Sequence, residues 1–493
     1  METRKMAVRF VHSVRFNAMM NTMLTASNML IGVITIPYIT RTLSVEGYGN
    51  VTFAQSISQW LSAICLVGIP TYGVRECARV RDDPRKLTAV VRELLVIISV
   101  CTFATLACFA FAIMFVPRLH QLAALMCVFL VSTLLLSFGV EWFFQAMEEY
   151  EYITIRSVAF KALSFIAMLW LVRADGDYLV YGAIMAFVTC GNNVLNLIRL
   201  TGMVDLREPG PLRIRRHIRP LISFAAQSIA TSIYLFFDSI LLGMLSSDNV
   251  QVGFYQLASK LKGVCWSVIN AIVGVLVPRL SYYARHSTGQ YRGLVQSGFG
   301  IVCNLCLGLC LYLIVEARPL TIWVSTGKYL DAVMAVRLIG LVSLFSCMST
   351  FFASCILTPL DREGRLAVAN MAGVPISLIG NLLLDAQLGA TGAALSMLVA
   401  EIIIFAMQVR YSWDVLCESI SMRRLLRMLG CHVCAVTSLV LVGGASMLAA
   451  QYAAQVVMGM VVYGTVWLIG GLLLHEETVT WLCGLIRNKS PKK

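Results

Sequence analysis

Apolar runs of 18 residues or more recur from one end of this 493-residue chain to the other, and no other feature limits its fold as strongly. As a helix rising about 1.5 Å per residue, each run is long enough to cross a hydrocarbon core about 30 Å thick. Soluble domains carry about a quarter charged residues; here 13% are charged and 58% hydrophobic, with a mean hydropathy of +0.79. The class compatible with both is an all-α polytopic membrane protein. The first run, from about Phe16, continues through PYITRTL without a small-residue cleavage site, so it reads as a retained transmembrane helix and not a signal peptide.

Hydropathy predicts about 14 transmembrane helices, near 15–40, 50–74, 88–116, 119–146, 152–173, 178–199, 220–245, 251–278, 293–316, 332–358, 366–385, 389–410, 427–449 and 454–474. With the N-terminus in the cytoplasm, most of the 39 Lys and Arg fall on that side. They include Arg75, Arg79, Arg81, Arg85, Lys86 and Arg92 between spans 2 and 3, two residues (Arg156, Lys161) assigned between spans 4 and 5, and LREPGPLRIRRHIRP between spans 6 and 7. The exterior receives Arg41, Arg118, Arg173, Arg318, Lys328 and Arg337, while Lys260 and Lys262 stay inside span 8. This asymmetry obeys the positive-inside rule, so both termini are expected in the cytoplasm. The net charge of +13 then faces anionic membrane lipids, which accounts for it without nucleic acid. The longest exterior loop, about Glu316 to Asp331, is too short for a soluble domain.

A shift of 206 residues pairs Gly47-Tyr48 with Gly253-Phe254, Trp60 with Trp266, Val67-Gly68 with Val273-Gly274, and Ala78-Arg79 with Ala284-Arg285. Span 1 falls on span 7 and span 2 on span 8, and both copies enter the membrane in the same direction. Parallel repeats of this kind are related by an axis along the membrane normal. The expected architecture is an N-lobe over 1–200 (helices 1–6), a basic cytoplasmic linker over 201–219, and a C-lobe over 220–410 (helices 7–12). The pseudo-twofold runs along the membrane normal, and residues 411–493 add helices 13 and 14 and a tail.

Span 1 places Asn17, Asn21, Thr25, Asn28, Gly32 and Thr35 on one helical face. The repeat carries that stripe onto Gln227, Thr231, Tyr234 and Asp238 of span 7. Span 8 has its own face, Gln256, Lys260, Gly263, Ser267, Asn270 and Gly274. Small polar residues also serve simply to pack helices together. Charges are harder to dismiss, since one at the bilayer centre costs about 2.5–3.5 kcal/mol on insertion scales. Lys260, Asp238 and Glu401 are the deep ones, and a water-filled cavity or an Asp238–Lys260 ion pair would accommodate them. Pro37, Pro70, Pro278 and Pro375 fall in or near span ends, where each can kink a helix.

Signals of catalysis are weak. Nucleotide-binding and zinc-protease motifs are missing, and the pairs Cys303/Cys306 and Cys431/Cys434 lack the second half of a zinc site. No metal, cofactor or enzyme activity is expected. Asp175-Gly-Asp177 spells a DxD but occupies a four-residue exterior turn, where Asp and Gly are ordinary turn formers. The stretch EWFFQAMEEYEYITIRS (141–157) reads as the cytoplasmic end of span 4, a tight turn and the start of span 5. Trp142, Phe143 and Phe144 fit an interfacial aromatic belt. Glu141, Glu148, Glu149 and Glu151, facing Arg75, Arg79 and Arg156, are candidates for a charge latch at the inner mouth.

Five stretches together carry a resemblance: PYITRTLSVEGYGNVTFAQS (37–56), VGIPTYGVRECARVRDD (67–83), EWFFQAMEEYEYITIRS, FDSILLGMLSSDNVQVGFYQLASKL (237–261) and VPRLSYYAR (277–285). The chain resembles Wzx-type polysaccharide flippases of the multidrug/oligosaccharidyl-lipid/polysaccharide exporter superfamily, over about residues 15–410. The resemblance implies ion-coupled translocation of an undecaprenyl-diphosphate-linked oligosaccharide from the inner to the outer leaflet of the cytoplasmic membrane, for O-antigen, capsule or exopolysaccharide synthesis. A polysaccharide polymerase and a chain-length regulator are its implied partners. Lys260 is the residue expected to meet the diphosphate, with Arg41, Lys262 and Arg337 as helpers. Asn28, Gln227, Tyr234 and Gln256 would line the cavity, and Asp238 and Glu401 would couple ions. Members typically have twelve spans, and fourteen is closer to lipid II flippases of the superfamily. A lipid II flippase, a drug/cation antiporter and, further off, a membrane-bound polysaccharide polymerase are the alternatives.

Overall fold

The computed structural model describes residues 14–207, 210–419, 422–445, 452–476 and 478–480. Among them thirteen segments are long and apolar enough to cross a membrane. The 29-residue helix α1 (Val14–Thr42) lies where the first span was predicted. The chain is therefore a multi-pass all-α membrane protein, and it divides into two compact units, Met1–Gly253 and Phe254–Lys493.

The first unit holds α1, α2 (Val45–Leu66), α3 (Ile69–Val80), α4 (Pro84–Phe115), α5 (Pro117–Gln121), α6 (Ala123–Ser137), α7 (Glu141–Ala146), α8 (Tyr150–Leu171), α9 (Tyr178–Met203) and α10 (Arg215–Leu245). Its helix starts are encoded locally. Ser44 accepts from Gly47 N–H at the head of α2. Asp83 accepts from Lys86 N–H at the head of α4, with Pro84 in its first turn. The Asp177 carboxylate accepts from Arg173 and Ala174 N–H, both at 2.9 Å, and closes the turn before α9. Those two donors hold its carboxyl below the usual range, and the DxD is a turn. Helix α2 packs on α10, α6 on α9, and α3 on α7. Arg118 secures the end of α10 through Gly243 and Ser247 carbonyls and the Asn249 side chain.

Three predicted features differ from the structure. Span 2 is not continuous: Val67 and Gly68 both adopt left-handed backbone (φ 49° and 74°), and the chain restarts as α3 with Pro70 in its first turn. The second repeat copy, Val273-Gly274, lies inside one unbroken helix, α11 (Val250–His286). Arg156 and Lys161, assigned above to a loop, lie within α8. The third difference concerns Trp142, Phe143 and Phe144, which are 4%, 0% and 0% exposed. They form a core with Ile69, Tyr72 and Leu94 and not an interfacial belt. Gly73 makes this possible, since a Cβ there would sit 2.7 Å from the Trp142 ring. Lipid-facing surface comes instead from residues such as Phe103, Met114 and Trp170, each more than 60% exposed.

The second unit begins within α11 and continues through α12 (Thr288–Val315), α13 (Ala317–Ser325), α14 (Val333–Phe351), a π-helical stretch at Phe352–Leu357, α15 (Glu363–Leu388), α16 (Ala390–Tyr411), α17 (Trp413–Ser419), α18 (Met422–Ala445) and α19 (Tyr452–Leu473). The predicted loop from Glu316 to Asp331 is largely α13. Helix α16 packs on α14 and α15, while α18 and α19 pair with each other and pack on α12 and α13 respectively. A buried polar seam fixes that attachment. Asn304 of α12 donates to Glu476 and Thr478, and it accepts from Trp467 of α19. Arg362 grips Asp414 through two bonds of 2.8 and 2.6 Å and holds that carboxyl below its ordinary range.

Glu316, between α12 and α13, is 3% exposed, and its Oε2 has no partner among the described residues. Burial pushes its carboxyl above the usual range. In the unfolded chain this acid ionises first, so stability falls as pH rises from the unfolded carboxylate value through the raised folded one. Glu316→Gln is expected to match the natural protein in acid and to melt higher above neutrality. Thermal unfolding in detergent from about pH 4 to about pH 8 measures this, and parallel pH profiles would exclude it.

Candidate functional site

The predicted site residues fall on helices of both units. In the first unit, α1 carries Thr25, Gly32, Thr35 and Arg41, with Arg41 exposed in its last turn; Asn17, Asn21 and Asn28 belong to the same helix, but their side chains lie outside the described residues. On α10, Gln227 and Thr231 are exposed, Tyr234 is half-buried and Asp238 is buried. A Gln and a Thr exposed along a span are costly against hydrocarbon, so this face is suited to water. The Thr231 hydroxyl donates to the Gln227 carbonyl one turn back, leaving the Gln227 amide as the more available group.

In the second unit, Lys260 is exposed on α11, ten residues past Val250 and so about 15 Å along the helix. It makes no hydrogen bond or ion pair with any described residue. Its face continues through Gly263, Ser267, Asn270 and Gly274, with Asn270 half-buried, and a Cβ at Gly263 or Gly274 would meet nothing within 4 Å. The result is a cation on an open strip of helix at membrane depth. Gln256 is half-buried one turn earlier. Lys262 is half-buried and turned toward α16, its Nζ 3.4 Å from Met397 Sδ. That places it one turn along α16 from Glu401, which is buried at 4% exposure. Arg337 is exposed near the start of α14.

At the end of the first unit predicted to face the cytoplasm, several acids and arginines of the candidate latch form ion pairs. Arg75 and Arg79 both pair with Glu76, at 3.4 and 3.3 Å. Glu148, held in left-handed backbone (φ 61°), pairs with Arg81 at 2.9 Å. Glu141 pairs with Arg156 at 2.9 Å, and Glu149 with Arg199 at 2.7 Å. Glu151 is half-buried in the first turn of α8.

Two groups escaped the sequence reading. Lys161 is half-buried, eleven residues into α8 and within electrostatic reach of Glu141. Counting it as a loop residue hid it, although its position inside an apolar run was visible. The other is a buried knot joining the 201–219 segment to α4. Glu93 accepts from Arg213 N–H (2.6 Å), from Arg216 Nη2 (2.6 Å) and Nε (2.9 Å), and from His217 Nε2 (2.7 Å). Since an ionised carboxylate only accepts, Nε2 of His217 carries the proton, and Nδ1 accepts from Tyr72 Oη at 2.7 Å. Nothing in sequence spacing links residues 72, 93 and 217.

Comparison with known proteins agrees with this architecture. The chain is 21% identical over 407 residues to a protein of Escherichia coli strain K12 named "Putative O-antigen transporter", covering 81% of this chain and 96% of that one. It is 24% identical over 401 residues to a Shigella dysenteriae protein of the same name, covering 77% and 94%. Among solved structures, it superposes on lipid II flippase MurJ in an inward closed conformation with a TM-score of 0.68 at 11% identity, covering 93% of this chain and 99% of that one. It also superposes on an inward-facing MATE family multidrug resistance transporter of the MOP superfamily with a TM-score of 0.57 at 12% identity, covering 80% and 96%. The chain thus has the fold shared by these transporters. Residues 14–284 match the family described as polysaccharide biosynthesis protein, more than half of the chain, and the protein belongs to that family.

Proposed function

We propose that this protein flips undecaprenyl-diphosphate-linked oligosaccharide repeat units from the inner to the outer leaflet of the cytoplasmic membrane. The observation that carries the reading is Lys260, an exposed cation at membrane depth on a helix face left open by Gly263 and Gly274. Family membership and the transporter fold support it. A cation is suited to the diphosphate, and the amide of Gln227 and the phenol of Tyr234 are suited to sugar hydroxyls. Asp238 and Glu401, both buried carboxylates, are the candidates for ion coupling. The repeat, over 1–200 and 220–410, would supply the two halves of an alternating-access machine, with both termini in the cytoplasm.

The prenyl tail stays in lipid. Burying each CH₂ is worth about 0.8 kcal/mol, so drawing a long tail into a wet cavity would cost far more than one ion pair returns. Only the diphosphate and sugar pass through, which leaves product in the outer leaflet for a polymerase and its chain-length regulator.

Lys260→Ala is expected to lower repeat-unit export in a deletion strain at least about tenfold, the loss of one charge-assisted contact. Lys260→Arg should retain most of it, and equal export by both variants would remove the diphosphate role. A lipid II flippase is the second reading, favoured by the superposition over 93% of the chain. Identifying the lipid-linked saccharide that accumulates in the deletion strain separates the two.

A further inference from the structure

Helix α10 is tied to the rest of the first unit at both ends, by bonds of different kinds. At its Arg215 end stands the knot, where the buried Glu93 carboxylate accepts from Arg216 and His217. At its Leu245 end Arg118 of α5 meets neutral acceptors only. Its Nε donates to the Gly243 carbonyl at 3.0 Å, a last-turn carbonyl of α10, where a cation is favoured by the helix dipole. Nη1 donates to the Ser247 carbonyl at 2.9 Å and to Gln121 Oε1 at 3.4 Å, and Nη2 to Asn249 Oδ1 at 3.0 Å. Asn249, 1% exposed, in turn donates to Asn50 Oδ1 of α2 at 2.7 Å. Around this pair backbone meets backbone. A Cβ at Gly49 would overlap the Asn249 carbonyl, and one at Gly253 would sit 2.5 Å from the Val45 carbonyl oxygen. The starts of α2 and α11 thus abut without interlocked side chains, and they are the segments that the shift of 206 pairs through Gly47 and Gly253.

We infer that the Leu245 end of α10 is a releasable clasp held by Arg118, and that α10 swings about the Glu93 knot when it opens. The inference rests on the transport reading above, and adds to it which contacts close one side and which residue holds them. Energetics decide which end lets go. Opening the knot would strand a buried ionised carboxylate, the costliest kind of broken pair. Opening the clasp exchanges hydrogen bonds to neutral groups for bonds to water, at small net cost. Glycine contacts let backbones lie flush, so the two helix starts can part without repacking side chains. By the distribution of Lys and Arg, this end faces the exterior, where water is at hand. Deeper on the same face of α2, Phe53 lies against Gly243, and the Trp60 ring is 5.3 Å from that of Phe237. Ser56, between them on that face and 5% exposed, is uncovered when the clasp opens.

The test uses the full chain in cells and has two arms. In the first, Asn50→Cys is combined with Asn249→Cys and oxidised, with the oxidised single variants showing what the native cysteines contribute. Cross-linking should abolish glycan export, and reductant should restore it to the level before oxidation. Export that persists in fully cross-linked protein overturns the clasp. In the second arm, Ser56→Cys is labelled with a membrane-impermeant methanethiosulfonate added outside. Arg118→Ala should raise the labelling rate about tenfold, the loss of one charge-assisted bond, with Arg118→Lys between. Labelling indifferent to both changes makes Arg118 a static brace and overturns its role. The first arm leaves Arg118 intact, so it stands even where Arg118→Ala does not fold. Neither arm depends on which saccharide is carried. Failure of both in a protein that exports glycan removes the clasp and leaves the transport reading, whereas labelling that responds to Arg118 in a protein without export keeps the clasp and removes that reading.

Discussion

Gly68→Ala is expected to destabilise the protein by about 2–5 kcal/mol, while Gly274→Ala, at the equivalent position of the repeat, should be neutral or stabilise it by up to about 1 kcal/mol. The two glycines follow the same valine in the sequence and differ only in where the fold puts them. Gly68 has φ 74°, and a Cβ there would lie 2.5 Å from the Phe224 carbonyl carbon and 2.7 Å from Ala225 N, backbone atoms of α10 that cannot swing aside. Left-handed geometry costs an L-residue about 1–2 kcal/mol and overpacking a further 1–3 kcal/mol. Gly274 lies within α11 with nothing near its absent Cβ. Alanine there removes the entropic penalty of a helical glycine. Thermal unfolding of both purified variants decides the matter, and similar melting temperatures would mean that the α2–α3 break is not held by α10.

Glu93→Ala should cost about 3–5 kcal/mol, the usual consequence of removing one partner from a buried charge pair. It would strand Arg216, His217 and the Arg213 amide, all of which donate to that carboxylate. Tyr72→Phe removes only the bond to His217 Nδ1 and should cost about 1–2 kcal/mol. Because the knot ties the arginine-rich segment down, Glu93→Ala should also speed tryptic cleavage at Arg213 and Arg215, with Tyr72→Phe having a smaller effect. Unchanged cleavage together with a loss below about 1 kcal/mol would reduce the knot to a surface ion pair.

Most spans were legible because hydropathy over about twenty residues reports one physical fact, the transfer of a helix into hydrocarbon. The helical face that Lys260 shares with Gly263 and Gly274 follows from 3.6-residue periodicity, and the structure leaves that face open. Capping at Ser44 and Asp83 is equally local. The aromatic stretch at 142–144 shows where such reasoning fails. Next to acids at a span end, Trp-Phe-Phe suits the membrane interface as well as a core. Burial was decided by Gly73, some seventy residues away, which leaves room for the Trp142 ring.

The repeat makes the same division sharper. Val67-Gly68 and Val273-Gly274 are identical in sequence, and a proline follows each, at Pro70 and Pro278. Neither proline decides the outcome alone, since α11 runs through Pro278 without a break. By itself, then, the amino-acid sequence determined the membrane class and the approximate limits of most long helices, because each depends on neighbours within a few turns. Which Val-Gly pair breaks its helix, which aromatics are core, and which carboxylate gathers Tyr72, Arg216 and His217 were decided by tertiary structure. Those outcomes depend on atoms brought together from residues far apart in the chain, and no local pattern encodes that contact.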